Sequence, residues 1–206
     1  TALNAASIVG AVNQTQVQPD GSALSYYDGN CNLIATVNDG AGGNILGSTT
    51  STVTVNATVP TVSTGQPYSP RWFEILPTNQ GPAIVTIYQT QDDFNQFNLH
   101  SNVIPQNATG YPALPTGPTD AAGIANLRVT QLSGGTIGVG TASLIVPTSV
   151  VWNAATNYWE ITFPVTSFSE FYVHTGVSAP LVVRLLEFTA EKSGSSSLVK
   201  WTTASE

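Results

Sequence analysis

Side chains able to catalyse a reaction are few in this sequence and widely separated. The two histidines, His100 and His174, are accompanied by no Gly-x-Ser-x-Gly segment, so the pattern disfavours a hydrolase with an activated serine. Glu74, Glu160 and Glu170 fall on predicted strands and invite comparison with the paired carboxylates of glycosidases. Carboxylates that alternate toward solvent explain the same spacing. We therefore predict no catalytic residues and no enzyme activity.

A short Asp/Asn segment has the opening spacing of a calcium-binding loop. Asp28, Asn30 and Asn32 match its first three ligand positions, where side-chain oxygens bind Ca²⁺. The match then ends, because Leu33 stands at the glycine position and no glutamate closes the loop. Asp/Asn clusters also form ordinary turns. These three residues are calcium candidates, while the prediction for the whole chain is no bound metal and no cofactor.

Aromatic residues on predicted strands are the remaining candidates for ligand binding. Trp72, Tyr88 and Tyr27 are the binding candidates, and an exposed row of aromatic rings among amides stacks on sugars or forms a protein interface. Partial burial within a sandwich is the interpretation that the sequence favours for these three residues. Trp159 differs, because it shares one strand face with Ile161 and other apolar residues. We predict that Trp159 lies in the core.

The composition is unusual chiefly in its low charge. Charged residues make up 8% of the chain, against about 25% in ordinary soluble proteins, so hydroxyl and amide side chains must form the solvated faces. Five basic residues and a net charge of −7 argue against nucleic-acid binding, which needs clustered lysine and arginine. No apolar run approaches the roughly 18 residues of a transmembrane helix, and we predict no membrane insertion.

The elements that must position these residues are almost all strands. Alternation of apolar and polar residues predicts strands at 23–27, 30–37, 50–59, 71–76, 83–90, 124–132, 142–146, 158–165 and 170–175. Cys31 alternates with apolar residues and is predicted to lie in the core. A capping-box pattern at Thr90 and Asp93, ahead of Phe94 and Phe97, predicts one short helix near 92–99. The fold class is therefore all-β: an antiparallel β-sandwich, jelly-roll or Ig-like, with that one helix.

Residues 180–206 form a separate unit in the sequence. Two apolar-patterned runs, 182–190 and 197–203, flank a polar turn and predict a strand–turn–strand. A two-stranded hairpin is at best marginally stable alone in water, so it must pack on something. We favour docking on the same chain, and strand donation to a neighbouring copy is the alternative. The assembly candidates are Leu185, Leu186, Phe188, Val199 and Trp201.

Several segments resemble a known family. Residues 68–75, a Tyr-x-x-Arg-aromatic-aromatic-x-Ile pattern, and residues 85–94, 114–131 and 180–206 resemble secreted and surface proteins exported by type IX secretion. The part resembled is the β-sandwich module near the C-terminus, followed by the start of an Ig-like or fibronectin-like module. The resemblance implies an extracellular or cell-surface location. Its motifs are turns and core aromatics, so it implies no reaction.

Three regions and three hypotheses for function follow. The regions are an N-terminal strand or linker at 1–20, the sandwich at 21–179, and the opening strand pair of an Ig-like module at 180–206. The first hypothesis is a non-enzymatic extracellular structural or adhesive module that self-assembles through β-strand donation. Its partners are other surface proteins or copies of itself. The alternative is a carbohydrate-binding module whose exposed aromatics hold a polysaccharide, and a hydrolase is the third.

Overall fold

The structure is a computed structural model, and it describes residues 8–40, 46–62, 65–107, 110–134, 140–176, 185–193 and 196–203. The described residues form thirteen strands and two helices. The strands are β1 (Gly10–Val17), β2 (Ala23–Tyr27), β3 (Leu33–Asn38), β4 (Ser48–Val55), β5 (Arg71–Pro77), β6 (Ala83–Gln89), β7 (Leu127–Ser133), β8 (Thr141–Ile145), β9 (Ser149–Asn153), β10 (Tyr158–Val165), β11 (Glu170–Thr175), β12 (Leu185–Ser193) and β13 (Ser196–Thr203). The helices are α1 (Gln91–Asn98) and α2 (Ala121–Asn126).

Eleven of these strands form two antiparallel sheets that pack into a sandwich, which confirms the predicted fold class. The first sheet has six strands in the order β1-β4-β5-β11-β7-β8, and the second has five in the order β2-β3-β6-β10-β9. The edge strands β1 and β2 therefore lie on one side of the sandwich. The edge strands β8 and β9, joined by a short connection, lie on the other side.

The core lies between the two sheets because each central strand alternates apolar and polar residues. In β5, Phe73 and Ile75 are buried, while Trp72 and Glu74, which alternate with them, are half-buried. In β10, Trp159, Ile161 and Phe163 are fully buried. Trp159 Nε1 donates a hydrogen bond to Gln91 Oε1 at 2.9 Å, so its one polar atom has a partner. The prediction that Trp159 lies in the core is confirmed.

Helix α1 begins at a capping box, as the sequence predicts. The Thr90 hydroxyl accepts from the backbone N–H of Asp93, and the Asp93 carboxylate accepts from the backbone N–H of Thr90. The same carboxylate forms a buried ion pair with Arg71 Nε at 2.7 Å. The ion pair fixes the helix to the start of β5, because Arg71 is the first residue of that strand. Phe94 and Phe97 fix the helix to the core, where both are fully buried. Neither helix described is long and apolar enough to cross a membrane.

Three local predictions are wrong. Residues 121–126 form a second helix, α2, because the Asp120 carboxylate accepts from the backbone N–H of Gly123 and caps it. The predicted strand 124–132 consequently starts at Leu127. Cys31 is exposed rather than buried, because it occupies the left-handed turn region at φ 64° and does not continue the alternation of β3.

Strands β12 and β13 form the hairpin predicted for the C-terminal unit. They pair antiparallel in a two-stranded sheet of their own, with Phe188 opposite Trp201 and Ala190 opposite Val199. Among the described strands, neither β12 nor β13 is hydrogen-bonded to either sheet of the sandwich. Docking of the hairpin on its own chain, or on a neighbouring copy, stays a prediction.

Candidate functional site

The aromatic binding candidates lie on both sheets and do not form one exposed row. Tyr88 on β6 is 7% exposed, and its hydroxyl is 2.7 Å from the Thr36 hydroxyl. Tyr27, half-buried on β2, packs with Tyr88 in a small cluster on the outer face of the five-stranded sheet. Trp72 lies on β5 of the other sheet. Tyr88 is therefore buried, because Tyr158 packs against its ring with centroids 5.5 Å apart.

An aromatic cluster covers the outer face of the six-stranded sheet around Trp72. Trp72 and Tyr172 are opposite each other on β5 and β11, and their rings stack with centroids 5.2 Å apart. Tyr68 meets Tyr172 edge-on at 5.8 Å. Tyr172 is 4% exposed and Trp72 is half-buried, so Trp72 supplies the accessible ring of this cluster. The sequence identified Trp72 but not its partner Tyr172.

Two carboxylates lie beside this aromatic cluster. Glu74 and Glu170 are directly opposite each other on β5 and β11, and both are half-buried. The Tyr172 hydroxyl donates to Glu170 Oε2 at 2.6 Å. Burial, followed by this hydrogen bond and the charge of Glu170, raises the pKa of Tyr172 well above its usual range. Like charges directly opposite on neighbouring strands repel, so this face favours ligands that donate hydrogen bonds.

The calcium candidates form a closed turn. The Asp28 carboxylate accepts hydrogen bonds from the backbone N–H groups of Asn30 and Asn32, each at 2.8 Å, and from the Asn32 side-chain amide at 2.8 Å. Burial opposes the charged form, but these hydrogen bonds outweigh it and lower the pKa of Asp28. The described residues contain no group of three or more His, Cys, Asp or Glu arranged to hold a metal ion.

The two histidines are used in structural hydrogen bonds. His174 Nε2 is 2.8 Å from the Thr130 hydroxyl, but both side chains are buried beneath Tyr68. Burial lowers the pKa of His174 to about 4, although a hydrogen bond to the Thr175 carbonyl acts in the opposite direction. His100 Nε2 is 3.1 Å from the Thr61 hydroxyl.

The sheet edges are the remaining candidate surface, and all four lack charge. Strands β1, β2, β8 and β9 contain no Asp, Glu, Lys or Arg, and they contain no proline. Charged side chains and proline are common guards that prevent one sheet edge from pairing with another chain. The low charge of the chain can be read from its sequence. Which uncharged segments become the edges of the two sheets depends on strand order, which the sequence does not state.

One side of the sandwich is closed by side chains. The backbone N–H of Tyr27 in β2 donates to Gln14 Oε1 of β1 at 2.7 Å. Gln16 Nε2 of β1 donates to the backbone carbonyl of Ser25 in β2 at 3.4 Å. These glutamines satisfy backbone groups that an edge strand otherwise leaves open. Pairing of β2 with another chain would have to displace them.

The opposite side of the sandwich is open. In the described part of the chain, no side-chain hydrogen bond joins β8 to β9 across the gap between the sheets. The exposed fraction is 38% for Leu144, 62% for Val146 and 54% for Val151, which are large apolar side chains on or beside these strands. We call β8, β9 and their connection the open side. An uncharged edge with exposed apolar side chains is a ready template for strand pairing.

A groove of about 330 Å³ runs along β8. Its walls are β7 and β8 on one side and the turn from β10 to β11 on the other. Ile145 and Val165 supply apolar surface, and Gln131, Ser133, Ser143, Pro164, Thr166 and Ser167 complete the lining. Gln131 Nε2 donates to the Ser167 carbonyl at 2.9 Å. The groove therefore lies at the β8 edge of the six-stranded sheet, between β8 and the end of β10.

Comparison with known proteins adds no family to this description. The chain matches no protein-family model, no curated protein and no solved structure. The structure supports a two-sheet antiparallel β-sandwich and identifies no family.

Proposed function

We propose that this chain is a non-enzymatic structural or adhesive module that self-assembles through its open sheet edges. The observation that carries the proposal is the open side: consecutive edge strands without charge, without proline and with exposed apolar side chains. Strand addition at such an edge satisfies backbone N–H and carbonyl groups, while side chains of the added strand supply specificity.

The proposed location is extracellular or at the cell surface, in a protein exported by type IX secretion. The resemblance of residues 68–75, 85–94, 114–131 and 180–206 to such proteins supports this setting. A surface formed by hydroxyl and amide groups, with 8% charged residues, also supports a protein packed among copies of itself or other surface proteins. Few long charged side chains stand in the way of such packing.

Sedimentation velocity across a wide range of protein concentration tests this function. Self-assembly predicts a sedimentation coefficient that rises with concentration and falls again on dilution. A Leu144→Lys variant places a charge on β8 of the open side and should sediment as a smaller species, because charge discourages edge pairing. A chain that sediments as a monomer at every concentration would refute the proposal.

Carbohydrate binding at Trp72 is the second candidate function. The supporting observation is the stacked pair of Trp72 and Tyr172 beside the opposed carboxylates of Glu74 and Glu170. Aromatic rings stack on the apolar faces of sugars, and carboxylates accept hydrogen bonds from sugar hydroxyls. Trp72→Ala should abolish binding on a glycan array, whereas Leu76→Ala, on the same face of the same strand, should retain it. Equal binding by both variants would exclude this site.

A further inference from the structure

We infer that β8 and its groove form the acceptor site, and that the occupant is the β12–β13 hairpin of a second copy of this chain. The inference rests on the proposed self-assembly and identifies which edge and which partner segment carry it. Three features of the described residues support it: the unequal protection of the two sides, the position of the groove, and the distribution of charge along the chain.

The unequal protection of the two sides selects the open side. Gln14 and Gln16 of β1 occupy backbone groups of β2, so an incoming strand that pairs with β2 must break existing hydrogen bonds. Strand β8 pairs with β7 along one edge, and no described strand pairs with its other edge. No described residue hydrogen-bonds to its outer N–H and carbonyl groups, so a partner strand can pair with them without displacing any described group.

The groove explains why β8, rather than β9, is the acceptor. Ile145 of β8 packs against the core, and Ser143 lies two residues away on the same strand face. Both residues line the groove together with Val165. A strand added beside β8 therefore projects every second side chain into this groove and extends the core of the sandwich. Leu144, which lies between Ser143 and Ile145 on β8, faces outward and offers exposed apolar surface.

The distribution of charge favours the hairpin over another sandwich edge as the occupant. Residues 1–179 contain nine acidic and two basic residues, whereas residues 180–206 contain three of each. Edge-to-edge contact between two copies brings together two sandwiches, and residues 1–179 of each copy carry a formal net charge of −7, so the two repel. The hairpin segment is neutral, and three of the five basic residues lie within or beside it. Among the described strands, those of the hairpin are also paired with neither sheet of the chain that carries them.

Matched lysine variants of the full chain test the acceptor site. Ser143→Lys places a charge in the groove, and Asn13→Lys places the same charge on β1, the edge at the closed side of the same sheet. We expect Ser143→Lys to weaken self-association at least about tenfold, because the buried ammonium would lack partners, while Asn13→Lys leaves it unchanged. Circular dichroism verifies that both variants fold.

Cross-linking tests the occupant. Cys31 is exposed and would react, so the experiment uses a Cys31→Ser background. Chains with Ala142→Cys on β8 are mixed with chains carrying Leu198→Cys on β13, which is 47% exposed, and treated with a short bis-maleimide. We expect mixed dimers to predominate. Predominance of dimers linked through position 142 in both copies would show edge-to-edge pairing and overturn the hairpin as occupant.

The outcomes separate the two levels of the proposal. If the wild-type chain associates and Ser143→Lys has no effect, or no more effect than Asn13→Lys, the β8 acceptor is wrong while self-assembly stands. If the wild-type chain stays monomeric at every concentration, self-assembly fails and the acceptor site fails with it. Loss of association by Ser143→Lys alone, together with mixed cross-links, supports both.

Discussion

Replacement of Trp159 by alanine should remove a large part of the stability of the sandwich. The side chain is fully buried between the sheets, where it contacts the rings of Phe94 and Trp152 at centroid distances of 5.6 Å each. A buried aromatic removes about 150–250 Å² from water, which at about 25 cal/mol per Å² corresponds to about 4–6 kcal/mol. Large-to-small core substitutions at aromatic positions cost about 3–5 kcal/mol. We therefore expect Trp159→Ala to lower the free energy of unfolding by about 4 kcal/mol.

Urea unfolding monitored by circular dichroism measures this loss, with Val151→Ala as the matched control. Val151 is 54% exposed on β9, the strand next to β10, and its truncation should change the free energy of unfolding by less than about 0.5 kcal/mol. In a chain of this size, the Trp159→Ala loss should lower Tm by about 8–16 °C. Comparable losses for the two variants would refute the assignment of the core between these sheets.

Three further predictions concern buried polar groups. Tyr158→Phe should change stability by less than about 0.5 kcal/mol in urea unfolding, because the Tyr158 hydroxyl has no hydrogen-bond partner among the described residues, whereas Tyr88→Phe should cost about 1 kcal/mol. His174 binds a proton more weakly in the folded than in the unfolded chain, because burial lowers its pKa to about 4. The free energy of unfolding should therefore fall by up to about 3 kcal/mol as pH drops from 6.5 to about 4. Thermal melts of a His174→Gln variant should not show this fall. Arg71→Met should cost about 3–5 kcal/mol in the same urea assay, because Asp93 is left buried without its cation, and a smaller loss would show that water reaches the carboxylate.

The regular strands could be predicted from the sequence because alternation dictates which face is buried. Strands β2, β10 and β11 begin and end where the pattern predicts. For the bounds of these three strands, the pairing with neighbouring strands agrees with the local pattern. Helix α1 could also be predicted from the sequence, because its capping box is local and requires no information about distant residues.

Alternation failed where both faces of a strand are covered. The pattern in β10 assigns Trp159 to the core and Tyr158 to the opposite face, which a simple sandwich exposes to solvent. Tyr158 is nevertheless fully buried, because it packs with Tyr88 and Leu33 in a second cluster. Tyr158→Ala should therefore also be costly.

The candidate sites were harder to predict because they depend on pairing between distant strands. Trp72 is separated from Tyr172 in sequence, and only the pairing of β5 with β11 stacks their rings. The open side depends in the same way on which strands end at the edges. A clue was present in residues 141–153, which contain no charged residue, but the sequence did not reveal that this segment forms β8 and β9 at the edge of each sheet.

Amide hydrogen exchange at low and high protein concentration can identify the assembling surface in the unmodified chain. Self-assembly through the open side predicts that amides of β8 become protected as concentration rises, because their outer N–H groups gain partners. Amides of the central strands β5 and β10 should exchange at the same rate at both concentrations. Exchange in β8 and β9 that does not depend on concentration would contradict the proposed assembly, whatever the chain binds elsewhere.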